Sequence, residues 1–368
     1  MADQRVVKLA KLLVNYSLKI KKGDYLRIAG SDLAQPLIRE VYREAIRKGA
    51  YVDIETEIPG LKEIFFKESS DEQLQHVSPL RKFVAENYDA QLSIWGGHNE
   101  RALSNIKPIN IQKNRTAHRH INMKLIDRIA EGTLRWCGTQ FPTQASAQEA
   151  NMSLEEYEDF VYQAGRLEQD DPISEWLQIS KKQQKICDYL NSKSSLHIIS
   201  KDTDLKMSIQ GRKWINCDGQ ENFPDGEIFT GPIEDSVEGK IRFSYPGIYM
   251  GREIEDICLE FKAGKVVKAT ASKGEELLVA LLNTDEGAKR LGEIAIGTNY
   301  GIQRFTKNML FDEKIGGTVH AAIGAALKES GGENESGIHW DMLCDMKNGG
   351  RIYADEQLFY QDGKFLID

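Results

Sequence analysis

The sequence predicts an α/β protein in two parts: an N-terminal α/β domain with a mostly parallel sheet, residues 1–195, and a mixed α+β C-terminal domain, residues 196–368. Three observations carry this. Strand-like and helix-like segments alternate through the first half, which is the pattern of βαβ units. After Ser195 the texture changes to short strands with denser glycine. The histidines and carboxylates set among small or apolar neighbours gather in the second part.

The chain opens with "MADQRVVKLAKLLVNYSLKIKKGD". Lys8, Lys11 and Lys19 interrupt its apolar run and no small-residue cleavage site follows, so it reads as an amphipathic helix rather than a signal peptide. "YLRIAG" (Tyr25 to Gly30) reads as a buried strand. Ser31 or Asp32 then caps the helix "LAQPLIREVYREAIRKG", which closes on Gly49. "AYVDIETEI" is the next strand, with Tyr51, Asp53 and Glu55 on one face. "AQLSIWGG" and "LRWCGTQFP" are further strands with helical material between them. Gly30 and Gly96-Gly97 end strands, but no GxGxxG follows either, so no nucleotide site is read here. "MSLEEYEDFVYQAG" to "WLQISKKQQKICDYLNSKSS" is helical, with Ser153 and Glu156 forming a capping box. Beyond it come the strands "LHIIS", "LKMSIQ", "IRFSYPG", "EIEDICLEF" and "KVVKATAS", with a turn at Ala263-Gly264.

A chain of 368 residues with 40% hydrophobic content can build two cores. Its 48 Lys and Arg against 56 Asp and Glu give −8, which argues against nucleic acid as a partner. No apolar run reaches the roughly 18 residues of a membrane span. The five cysteines are scattered without a CxxC, which disfavours a zinc ribbon or a disulfide framework and suits reduced thiols in the cytoplasm.

Among the histidines, His118 and His120 in "NRTAHRHIN" read as part of an exposed basic loop. His76 and His98 lie in polar settings without evident partners, and His197 reads as a satisfied core residue. The C-terminal part differs. His320 lies in "DEKIGGTVHAAIGAAL", and His339 and Asp341 lie in "SGIHWDML". Glu227 in "NFPDGEIFTGP" and Glu293 in "RLGEIAIGTN" are carboxylates in glycine-bounded, otherwise apolar settings. A buried carboxylate must find a partner, and a divalent cation is one. Period-two geometry puts His339 and Asp341 on one side of a strand. This mixed set suits Zn, Co or Mn better than Mg, and its size hints at two ions. Ordinary hydrogen bonds to packed histidines remain the alternative on spacing alone.

With these residues in view the sequence resembles the M29 peptidases, metal-dependent aminopeptidases. The resemblance rests on "KKGDYLRIAG", "GAYVDIETE", "RWCGTQFPTQASAQEANMSLEEYEDF", "PDGEIFTGP", "GEIAIGTN", "LFDEKIGGTVHAAIG" and "IHWDML", in family order over nearly the whole chain. It implies a C-terminal metal-binding domain with ligands Glu227, Glu293, His320, His339 and Asp341, holding two divalent ions. It further implies an exopeptidase acting on peptides with a free N-terminus, usually as a homodimer. Glu313 matches a further acidic position of the family. Glu313 and Glu293 are the candidates for the proton-shuttling catalytic base, with Glu313 preferred because Glu293 is committed to metal. The family often carries a tyrosine seven residues after the first metal-binding histidine, where this chain has Leu327; Tyr249 and Tyr300 are candidate substitutes as donors. Two other readings stay open: a metal-dependent amidohydrolase acting on another amide or amino-acid conjugate, and a non-catalytic metal-binding protein.

Overall fold

A computed structural model describes residues 3–367. The chain divides into two compact units, Met1–Ile173 with Gly219–Pro224, and Ser174–Asp218 with Asp225–Asp368.

In the first unit, strands β1 (Tyr25–Ser31), β2 (Tyr51–Glu57), β3 (Ala90–Trp95) and β4 (Arg135–Gln140) form a sheet in the order β2-β1-β3-β4, extended by Asn222–Phe223. Every pairing is parallel. Leu26, Ile28, Leu92, Ile94 and Cys137 are buried, as the inner strands of a helix-covered parallel sheet require. Helix α1 (Gln4–Leu12) buries Val6, Leu9 and Leu12. Ser31 caps a short 3₁₀ turn that leads into α2 (Gln35–Arg47), and Gly49 ends that segment at φ +82°.

The stretch expected as a basic loop lies instead inside α3 (Pro108–Ala130). "NRTAHRHIN" holds no glycine or proline to stop a helix, so its charges mark a helix surface rather than a connection. His118 is buried there, with Nδ1 2.8 Å from the Asn114 carbonyl. His98 does have a partner, Asp32, at 2.8 Å, and His197 is part-exposed and paired with Asp204 across adjacent strands at 2.8 Å. Helix α4 (Leu154–Ala164) opens with the expected Ser153–Glu156 capping box.

The second unit begins with most of α5 (Pro172–Asn191). The texture change at Ser195 coincides with the strand Ser195–Ser200, but the unit starts at Ser174 because Ile186, Cys187 and Leu190 of α5 belong to its core. An eight-stranded antiparallel sheet runs from that strand to Lys364–Phe365. Within it, Ala263 (φ +48°) and Gly264 (φ +73°) form a two-residue hairpin turn. A Cβ on Gly264 would lie 1.8 Å from the Glu234 carbonyl oxygen, so only glycine fits.

The second sheet of this unit comprises β5 (Ile215–Cys217), β6 (Glu227–Thr230), β7 (Leu291–Gly297), β8 (Thr318–Gly324) and β9 (His339–Asp345), in the order β9-β8-β7-β6-β5. All its pairings are antiparallel. Ile294, Ile296, Val319, Ile323, Trp340 and Met342 from one face join a core shared with Ile198, Leu205, Ile241 and Leu259 of the larger sheet. Among the described residues no helix is long and apolar enough to cross a membrane.

Candidate metal centre

The opposite face of the β5–β9 sheet carries the candidate ligands, and the strand register explains how they meet. Glu293 and Asp341 both lie opposite Ala322, His320 lies opposite Ala295, His339 opposite Gly324, and Glu227 opposite Gly297. Side chains two residues apart share a face. "GEIAIG" therefore presents Glu293, Ala295 and Gly297 on this face, and "HAAIG" presents His320, Ala322 and Gly324. "HWD" adds His339 and Asp341. Each ligand-type side chain thus faces an alanine or glycine on one neighbouring strand, which leaves its head group room on that side. Trp340, between His339 and Asp341, points to the other side and packs edge-on against Tyr249.

The five head groups form one cluster. His320 Nε2 lies 3.2 Å from Glu293 Oε1, 3.4 Å from Glu227 Oε2 and 4.0 Å from Asp341 Oδ1. His339 Nε2 lies 3.5 Å from Glu293 Oε2 and 3.6 Å from Asp341 Oδ2. Glu293 and Asp341 each turn one oxygen to one histidine and the other oxygen to the other. His339 Nδ1 lies 2.7 Å from the Ala325 carbonyl, a contact that orients Nε2 into the cluster. Glu227, Glu293 and His320 are buried, and His339 sits at the exposed rim. Glu227 Oε2 and Asp341 Oδ1 are buried without a hydrogen-bond partner, and ligand atoms of Glu293, His339 and Asp341 lie within 4.8 Å of one another. Unsatisfied buried carboxylate oxygens next to imidazole nitrogens are the donor set that a divalent cation fits.

Proton affinities point the same way. Burial pushes the His320 imidazole down, but the Glu293 hydrogen bond and the Glu227 and Asp341 charges outweigh it and raise it to about 10. Burial pushes Asp341 up to about 6, against the pull of His339. Burial likewise raises Glu227 above the usual carboxylate range, against the Lys314 charge. Without a metal the pocket collects protons in place of the positive charge it lacks.

Two groups at this site escape sequence reading. Lys314 is fully buried, with its ammonium 3.4 Å from Glu227 Oε1, 3.9 Å from Asp225 Oδ1 and in contact with the Glu313 carboxylate. Asp225 is also buried. Lys314 sits in "DEKIGG", where an ordinary surface turn would read identically; only the fold around it shows its burial. Glu313 follows the short helix Met309–Asp312, and its charge acts on Glu227, His339 and Asp341. Gly226 brings Glu227 in: its φ is +122°, and a Cβ there would stand 2.7 Å from the Asn299 Cβ. Leu327 is exposed. Tyr300 donates its hydroxyl to the Gly363 carbonyl at 2.8 Å, so it is committed away from the cluster.

The profile of the thermophilic metalloprotease (M29) family matches residues 2–365. The chain belongs to the M29 family. Among curated relatives it is 29% identical to aminopeptidase 2 of Geobacillus stearothermophilus, over 93% of this chain and 92% of that one. It is also 29% identical to aminopeptidase T of Thermus thermophilus, over 97% and 95%. The solved structure of wild-type AmpT from Thermus thermophilus superposes with a TM-score of 0.86 at 25% identity, covering 99% of each chain. A 2,5-dihydroxypyridine dioxygenase from Pseudomonas putida shares the fold alone, with a TM-score of 0.61 at 14% identity.

Two outcomes follow from this geometry. Replacing Ala322, the residue opposite both Glu293 and Asp341, by leucine fills the space between them; zinc or manganese affinity by calorimetry falls at least about tenfold while the fold persists. An unchanged affinity contradicts a metal site between these two carboxylates. For the metal-free protein, His320 and Asp341 both bind protons more tightly folded than unfolded. The stabilisation from His320 is complete below its unfolded value of 6.5 and is lost as pH rises through about 10. That from Asp341 is lost between 3.8 and about 6. The metal-free melting temperature therefore falls from pH 6.5 to 9.5, and saturating zinc removes the decline, because the ion takes the place of the lost protons. A metal-free midpoint that rises over this range contradicts the assignment.

Proposed function

We propose that this chain is a metal-dependent aminopeptidase in which Glu227, Glu293, His320, His339 and Asp341 hold two divalent ions, with Zn, Co or Mn as the candidates. The observation that carries this reading is the pair of carboxylates, Glu293 and Asp341, each facing both histidines. Such a pair can bridge two positions, one beside His320 and Glu227 and one beside His339. When bound, the ions would supply Lewis acidity toward water and toward the scissile carbonyl.

Glu313 is the proposed base: one oxygen is held by Lys314, and the other is left to take a proton from water and pass it to the leaving amine. Glu293, the other candidate, has both oxygens turned to histidines and so serves the metal. The free amine of a peptide N-terminus would bind beside a carboxylate of the cluster, the feature that makes an exopeptidase of a peptidase. Leu327 offers no hydroxyl where the family often has tyrosine. Tyr300, bonded to the Gly363 carbonyl, and Tyr249, packed on Trp340 at the other side of the sheet, do not replace it.

Leu327 in place of the family tyrosine also supports a second reading, in which the same centre acts on another amide or amino-acid conjugate. A homodimer in the cytoplasm completes the proposal, supported by the family resemblance and by cysteines that form no disulfide among the described residues.

The test is release of N-terminal residues from short peptides, followed by mass spectrometry with and without added zinc, cobalt or manganese. Metal-dependent loss from the N-terminus alone is expected; cleavage of amino-acid conjugates but of no peptide would favour the second reading. Glu313→Gln is expected to keep its metal and lose about 10²–10⁴-fold in kcat. Near-normal turnover by that variant would remove Glu313 from the role of base.

A further inference from the structure

Lys314 is a lysine whose side chain has no solvent exposure. Its place is fixed by the main chain. Its amide donates to the Phe311 carbonyl at 3.1 Å, and its carbonyl accepts from the Asn299 amide at 3.0 Å. Asn299 in turn donates its side-chain amide to the Asp225 carbonyl at 2.8 Å, tying the lysine's turn to the loop that leads into Glu227. Beside it, Gly297 packs so tightly that a Cβ would lie 2.2 Å from the Ile315 carbonyl oxygen. An ammonium is buried at this depth only when carboxylates surround it. Three do: Glu313, Glu227 and Asp225.

The contacts divide these carboxylates between tasks. Glu227 turns Oε1 to Lys314 at 3.4 Å and Oε2 to His320 at 3.4 Å, and Oε2 has no hydrogen bond. Glu313 has one oxygen on the ammonium. We propose that Lys314 is a positioning residue: its ammonium holds one oxygen of Glu227 and one of Glu313, leaving a single oxygen of the first for metal and a single oxygen of the second for the proton of the attacking water. The proposal rests on the metallo-aminopeptidase reading. It also closes the charge balance, since the five carboxylates Asp225, Glu227, Glu293, Glu313 and Asp341 are neutralised by two divalent ions and one ammonium. Lysine suits this place because its ammonium is a compact point charge that reaches three carboxylates without bidentate geometry.

The experiment compares wild type, Lys314→Met, Glu313→Gln and the double variant, each loaded with zinc. Circular dichroism checks the fold, calorimetry reads metal affinity, and kcat and KM are measured on one peptide. In Lys314→Met, zinc affinity is expected to fall about tenfold, as for loss of a group that orients a ligand. Its kcat is expected to fall about 10²-fold with KM within about threefold. Because Lys314 acts through Glu313, the double variant is expected to be no slower than the slower single variant, within about threefold. A merely structural salt bridge would lower the melting temperature and leave kcat per folded, zinc-loaded molecule unchanged; that result, or losses that multiply in the double variant, overturns the proposal. Should Lys314→Met not fold, Lys314→Met/Asp225→Asn removes the cation together with a carboxylate outside the five proposed ligands and the proposed base, and the same comparison applies. A wild type that binds no zinc would defeat the functional reading itself. A wild type that binds zinc and cleaves peptide, beside a Lys314→Met of equal affinity and kcat, would defeat this role alone.

Discussion

The structure turns on a buried surplus of negative charge. Asp225, Glu227, Glu293, Glu313 and Asp341 converge on one side of a sheet, and the first three of these are almost wholly buried. Two like charges about 4 Å apart repel by roughly 4 kcal/mol at the effective dielectric typical of such sites, so this group cannot stand ionised without cations beside it. The fold supplies one, Lys314. The same carboxylate charges raise the proton affinity of His320, and burial raises that of Asp341, so the pocket favours added positive charge.

A β-sheet can carry such a cluster only if it gives the head groups room while keeping its other face in the core. Here alternation does both. Odd-numbered positions of "GEIAIG" and even-numbered positions of "HAAIG" offer Glu293 and His320 together with Ala295, Gly297, Ala322 and Gly324. The intervening Ile294, Ile296, Val319 and Ile323 anchor the sheet to the larger one. Larger residues at the small positions would pack well enough as a strand, but would occupy the space in which the head groups meet.

Much of this was legible in the sequence. The parallel sheet of the first unit follows from segments such as "YLRIAG" and "AQLSIWGG", whose apolar runs and flanking glycines leave little choice. The Ser153–Glu156 box and the Ala263-Gly264 turn are local rules that tertiary structure did not override. Glu227, Glu293, His320, His339 and Asp341 were chosen as charged or imidazole side chains in apolar company, and they do meet, since burial without a partner is costly. What was not legible depends on contacts between segments distant in sequence. Lys314 reads as a surface residue in "DEKIGG" until Asn299, Asp225 and Glu227 close over it. His118 reads as a loop residue because a charged helix surface and a charged loop have the same composition. The assignment of α5 to the second unit depends on where Cys187 and Leu190 find their core, which no local pattern states.

The central claim is that this carboxylate and imidazole face is built to hold a pair of divalent ions. A calorimetric titration of the metal-stripped chain with zinc, checked by elemental analysis of the loaded protein, tests it most directly. The account predicts two ions per chain, with a proton released on binding at pH 7 as His320 gives up its own. Saturation at fewer than one ion per chain, or binding without proton release at pH 7, would contradict it.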